Sequence, residues 1–184
     1  MIDHIMSFAH LSSAHLPFAD LPFADLLALS TMTLATAGPD GEPHAAAVYF
    51  AADDRPNLYF FSDPESQHIQ DIIRDGRAAA TIHPECFDWQ EIRGLQLRGT
   101  VQWVDRGPEW DRAWKLYSAK FPFVAELEAV ISINQFYVLI SNWIRLVDNR
   151  RGLGFKQEWL LQNAAVSVNS GANTKTGKSS KIDG

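Results

Sequence analysis

The sequence predicts a mainly β domain with short helices, folded as a barrel or a sandwich. Three observations carry this reading. Short apolar segments recur along the chain with turn residues between them. One long segment, Gly94 to Asp105, alternates apolar and polar side chains. The helix-like segments are too few to cover both faces of a doubly wound sheet.

The elements follow in order. Residues 1–15 are polar and irregular, and Leu16 to Asp25 reads Leu-Pro-Phe-Ala-Asp twice in tandem before a short helix at Leu26 to Leu29. Met32 to Ala37 is the first strand, Pro39-Asp40-Gly41 a tight turn, and Pro43 to Ala51 the second strand. Asp53 to Asn57 turns the chain again into Leu58 to Phe61, completing an antiparallel meander. Asp63 and Pro64 read as an N-cap and first helical residue. Ile69, Ile72 and Ile73 form one apolar face of that helix, and Gly76 stops it.

Arg77 to Ile82 is the fourth strand. In the long alternating strand, Leu95, Leu97, Val101 and Trp103 take one face, and Gln96, Arg98, Thr100 and Gln102 the other. Pro108 opens a helix with Trp110, Ala113, Trp114 and Tyr117 on one stripe, which packs on a core or a partner. A short helix is expected over Val124 to Val130, a long strand over Gln135 to Val147, and a last strand over Gly154 to Leu161. From Gln162 the chain is too polar to offset its ordering entropy and reads as a disordered tail. The expected organisation is an irregular segment 1–25, a folded domain 26–161 and a tail 162–184.

Composition narrows the function. The 184 residues are 46% apolar, enough for one sizeable core. The net charge of −6 argues against nucleic acid and anionic membrane surfaces, both of which need clustered Lys and Arg. A single cysteine, Cys86, cannot form an internal disulfide and fits a reducing compartment. No apolar run approaches the ~20 residues of a membrane helix, and the first residues lack the basic start of a secretory signal. The expected setting is cytoplasmic. His83-Pro84-Glu85-Cys86 offers too few ligands for a structural zinc, and Cys86 has no neighbour in sequence that would activate it.

Several motifs, taken in order, carry a family resemblance. They are Thr33-Leu34-Ala35-Thr36 with Gly38-Pro39-Asp40-Gly41-Glu42-Pro43-His44, Leu58 to Ser62 followed by Ser66-Gln67-His68, and Leu95 to Val101. Further along come Tyr117 to Pro122, Ile144 to Asn149 and Leu153-Gly154-Phe155. Together they resemble the pyridoxamine 5'-phosphate oxidase-like split barrels, over roughly residues 28–161, and look like a small bacterial subfamily of them. The resemblance implies a six-stranded antiparallel Greek-key split β-barrel. It also implies a homodimer with flavin mononucleotide (FMN) in a cleft between subunits, acting as an oxidoreductase on a small molecule.

The same resemblance assigns site residues. Ser62, Ser66, Gln67 and His68 would meet the phosphate at the start of a helix, where free N–H groups favour an anion. Val48 and Tyr49 would line the flavin ring. Trp143, Arg145 and Lys156 are candidates for stacking and for charge, as are Arg93 and Arg98. The family places cations where this chain has Ala46, Gln67 and His68. That departure keeps two alternatives open on the same barrel. One is a haem protein with His68 or His44 as axial ligand. The other is a binding protein without a cofactor.

Overall fold

The computed structural model describes residues 8–9, 21–127 and 134–161. The expected tail at 162–184 lies outside them, as do most of residues 1–25. Among the described residues, eight strands form one sheet: β1 (Phe8–Ala9), β2 (Thr31–Ala37), β3 (Pro43–Ala52), β4 (Leu58–Ser62), β5 (Arg77–Ile82), β6 (Arg93–Trp103), β7 (Gln135–Asp148) and β8 (Lys156–Leu160). The α-helices described beside them are α1 (Ala24–Leu27), α2 (Gln67–Asp75) and α3 (Pro108–Lys120).

Strands β2 to β7 close into an antiparallel barrel. Its order is β7-β4-β3-β2-β5-β6, and a β6–β7 ladder returns the sheet to its start. The meander β2–β3–β4 is followed by β5, which crosses back to lie beside β2, so the connectivity is a Greek key. Long β7 serves two barrel neighbours and also pairs β8, which in turn pairs β1 in parallel.

Apolar side chains fill two compartments on either side of the barrel wall. The interior holds Met32, Leu34, Phe50, Phe60, Leu95, Leu97, Leu139, Ile144 and Leu146, with Leu21 and Phe23 packed among them. The outer compartment lies under α3, where Ala113, Tyr117 and Phe121 meet Tyr59, Phe136, Val138 and Ile140. Trp110 and Trp114 stack at 5.7 Å and turn their edges to Phe136. The aromatic stripe of the helix therefore packs on a core of its own chain. The residues Phe136 to Ser141 are all buried because β7 separates the two compartments, so its two faces are both covered.

A bulge sets the register of β6 on β7. Arg98 pairs with Trp143 and Gly99 with Ser141, leaving Asn142 as the extra residue. A Cβ on Gly99 would lie 2.0 Å from the Ile140 carbonyl oxygen, so the close approach requires glycine there. The apolar face of β6 holds through Val101, but Trp103 is 61% exposed where the strand leaves the barrel for α3.

The short helices differ from their sequence expectations. The turn after β4 uses Asp63 locally: its carboxylate accepts from Glu65 N–H at 2.8 Å and its carbonyl from Ser66 N–H at 3.0 Å. The helix expected from Pro64 consequently starts at Gln67, with Ser66 as N-cap. On α2, Ile73 is 69% exposed, and the buried face consists of Ile69, Ile72 and the carboxylate of Asp71. The first helix ends at Leu27, two residues before its expected end. Beyond α3 a 3-10 turn spans Pro122–Glu126 where a helix was expected over 124–130; residues 128–133 are outside the described set.

Candidate functional site

Two groups of the sequence-assigned residues come together in separate places. The first lies where β4 runs into α2. Ser62 ends β4 and is buried; its Oγ sits 2.7 Å from His68 Nε2 and 3.3 Å from Ser66 Oγ. Ser66 Oγ is 3.2 Å from the same imidazole nitrogen and donates to the Asp63 carbonyl at 2.7 Å. No side chain caps the helix, so the first-turn N–H groups of Gln67 and His68 have no acceptor within it. Burial pushes the His68 imidazole below its ordinary range, against the pull of the Asp71 carboxylate. At neutral pH the cluster is thus two hydroxyls and a neutral imidazole at a helix N-terminus.

Asp71 organises the floor beneath that cluster, and the sequence reading missed it. Its carboxylate accepts from Thr36 Oγ1 at 2.8 Å and from Gln67 Nε2 at 3.0 Å, and lies 2.7 Å from His44 Nδ1. Arg74 completes the ring at 3.7 Å. Gln67 is therefore turned toward Asp71. The available signal was a charged residue flanked by Ile69 and Ile72 at helical spacing. Val48 is half-buried against the barrel core, and Ala46 is half-buried two residues before it on β3. Tyr49 faces outward, 48% exposed, with its ring edge-on to Phe121 and Phe123 at 5.2 and 5.6 Å.

The second group lies on the outer face of β6, β7 and β8. The Arg98 and Arg145 guanidinium carbons stand 4.7 and 4.8 Å from the Trp143 ring centroid. Glu158 on β8 accepts from Trp143 Nε1 at 3.1 Å and pairs with Arg145 at 2.6 Å. Arg145 is thereby committed to a carboxylate. Arg93 is excluded as a source of free charge: it is buried, bonded to Asp25 at 2.8 Å and 3.3 Å from Asp148. Lys156 is exposed at the start of β8. Among the described residues, no hydrogen bond or ion pair joins this group to the head of α2.

The sequence profile of the pyridoxamine 5'-phosphate oxidase family matches residues 23–147, more than half of the chain. The chain belongs to that family. The chain is 28% identical over 116 residues to a UPF0306 protein of Enterobacter sp. (strain 638), covering 63% of this chain and 78% of that one. It is 36% identical over 76 residues to a pyridoxine/pyridoxamine 5'-phosphate oxidase of Ralstonia nicotianae, covering 41% of this chain and 33% of the oxidase. The chain thus matches only a third of the length of that oxidase. In fold it is similar to a haem-binding protein from Mycobacterium smegmatis, with a TM-score of 0.62 at 21% identity over 72% of this chain and 53% of the other. That likeness establishes the split barrel. Among the described residues, no helix is long and apolar enough to cross a membrane.

The family implies a flavin, and the head of α2 can be tested against its phosphate. Ser62, Ser66, His68 and the first-turn N–H groups supply donors of the right kind. None of these donors is a Lys or Arg, and Asp63 is exposed beside the cluster. The donors fit and the charge balance does not, so a bound phosphate would rely on hydrogen bonds and the helix terminus.

Proposed function

We propose that the chain binds FMN in a cleft at a homodimer interface and acts as a cytoplasmic oxidoreductase on a small molecule. The observation that carries this reading is the donor cluster of Ser62, Ser66 and His68, set at a helix start in a member of this family. Val48 would line the ring from β3, and Tyr49 from the outer face of the same strand. A bound flavin would supply hydride or electron transfer; the protein would orient the ring and exclude water. A partner has a flat face to pack on. Ala45, Ala35 and Ala79 stand opposite one another across β3, β2 and β5, and none of them is buried.

The test is the visible spectrum of the purified protein. Flavin bands that release FMN on denaturation support the reading. A colourless protein that takes up no added FMN overturns it. Light scattering after size exclusion reads the assembly, and a monomer removes the shared cleft.

A haem reading has one specific observation behind it. Asp71 holds Nδ1 of His44, which leaves Nε2 as the ligating nitrogen, the arrangement of a histidine oriented by a carboxylate. His68 has its own Nε2 occupied by Ser62. A Soret band lost in His44→Ala would replace the flavin reading.

A further inference from the structure

We propose that the groove beside Arg98 and Trp143 is a binding site for a flat aromatic monocarboxylate. The groove has a volume of about 720 Å³, within the range of small-molecule sites. It crosses the outer face of the barrel, and its floor is built from small residues. Ala35 pairs with Ala79, and Ala79 with Arg98, in one row across β2, β5 and β6. Leu160 and Leu161 form the wall beyond Trp143. A floor of alanine methyls walled by leucines offers a flat apolar slot with little side-chain entropy to lose.

Charge selects the ligand. Three arginines stand on this face. Arg77 is held by Asp75 through two bonds of 2.7 Å, and Arg145 by Glu158 at 2.6 Å. Arg98 has no carboxylate within 4.0 Å among the described residues. Its guanidinium rests instead against the Trp143 ring, which stabilises a cation but accepts none of its in-plane N–H groups. Trp143 is itself fixed by the bond from its Nε1 to Glu158. The result is a positioned planar donor beside an apolar slot, the geometry that a carboxylate on an aromatic ring satisfies by two parallel bonds.

A second negative charge is disfavoured. Asp75 lines the other end of the groove, and its hydrogen bonds from Arg77 hold its carboxyl below the usual range, so it is ionised at neutral pH. Among the described residues, a dianionic phosphate would meet Arg98 as the one unpaired cation on this face, since Arg77 and Arg145 are held by Asp75 and Glu158. Ser62, Ser66, Gln67 and His68 do not line this groove, whereas Trp143 and Arg98, also candidates for the flavin, do, and its alanine floor is part of the proposed dimer face. A second copy packed on this face would roof it.

The experiment is calorimetric titration of the full chain, as purified and after incubation with FMN, using 2-naphthoate and its neutral analogue 2-naphthamide. Saturable binding of naphthoate is expected, weaker by about tenfold or more for naphthamide and for Arg98→Gln, the loss of a charge-assisted hydrogen bond. Absence of saturable binding overturns the proposal, as does equal affinity for the amide. Unchanged affinity in a folded Arg98→Gln does the same. If that variant does not fold, the two ligands compared on the unaltered protein decide. Flavin uptake is read separately in the visible spectrum, so either reading can fail alone.

Discussion

His44 Nδ1 lies 2.7 Å from Oδ2 of Asp71, a carboxylate with only 1% of its side chain exposed. This contact ties the β2–β3 hairpin to α2. Burial alone would raise the Asp71 pKa. Hydrogen bonds from His44, Thr36 and Gln67 outweigh burial and hold it at about 2, below its ordinary 3.8. A carboxylate depressed in this way contributes stability above its unfolded pKa and loses it as pH falls through the folded value. Asp71→Asn should therefore lower the melting temperature at neutral pH, and its deficit should shrink between about pH 4 and about pH 2. Melts followed by circular dichroism across that window check this. A deficit that does not change with pH would show that the charge itself contributes nothing.

Lys120 gives a stability change of opposite origin. Its Nζ donates to the Leu27 and Leu29 carbonyls at 3.0 and 2.6 Å and stands 4.0 Å from the Phe50 ring centroid. Burial lowers its pKa from 10.5 to about 8. Between those values the unfolded chain binds the extra proton, so stability rises with pH across that window. Lys120→Met should lack this rise. Urea midpoints of parent and variant at about pH 7.5 and about pH 10 read the difference; parallel changes in the two proteins would remove Lys120 as the cause.

Of the described glycines, Gly99 leaves the least room for a side chain. A methyl there would meet the Ile140 carbonyl oxygen at 2.0 Å and its carbon at 2.8 Å, both of them backbone atoms. The strands must separate at the Asn142 bulge to admit it. Gly99→Ala should destabilise the fold by about 3 kcal/mol, read from the urea unfolding curve. Gly94→Ala meets the His83 Cβ and the Ile82 carbonyl oxygen at 3.0 Å and should cost less. Equal losses at the two positions would contradict the seam argument.

The barrel was legible because its strands are bounded by local signals that tertiary structure did not override. The Pro39-Asp40-Gly41 turn, the alternation after Gly94 and the β-rich run after Gln135 each lie where the strands are found. The misreadings arise where a side chain is used otherwise. Asp63 looked like a helix cap, but its carboxylate closes a turn on Glu65. Ile73 looked like core by spacing, yet the buried face of α2 takes in Asp71 beside Ile69 and Ile72, with partners for that carboxylate on β2 and β3. Arg93 looked available, and its partners Asp25 and Asp148 lie far from it in sequence. Such long-range pairings leave no periodic trace. The cluster at the head of α2 was readable because Ser62, Ser66 and His68 are close in sequence as well as in space.

The imidazole of His68 gives the flavin proposal a quantitative handle. Burial keeps it neutral at neutral pH, and it lies within hydrogen-bond distance of two serine hydroxyls. If it meets the FMN phosphate, protonation places a cation against that anion. The affinity for FMN should then rise as pH falls below the ordinary histidine value of about 6.5. Riboflavin, which lacks the phosphate, should show no such rise. His68→Ala should bind FMN more weakly and flatten the profile, while Ser62→Ala should weaken binding and keep its slope. Quenching of flavin fluorescence between about pH 5 and about pH 8 measures all four curves, within the interval where histidine titrates. An FMN profile that matches riboflavin's would remove His68 from the phosphate, leaving only the hydroxyls and the helix terminus to hold it.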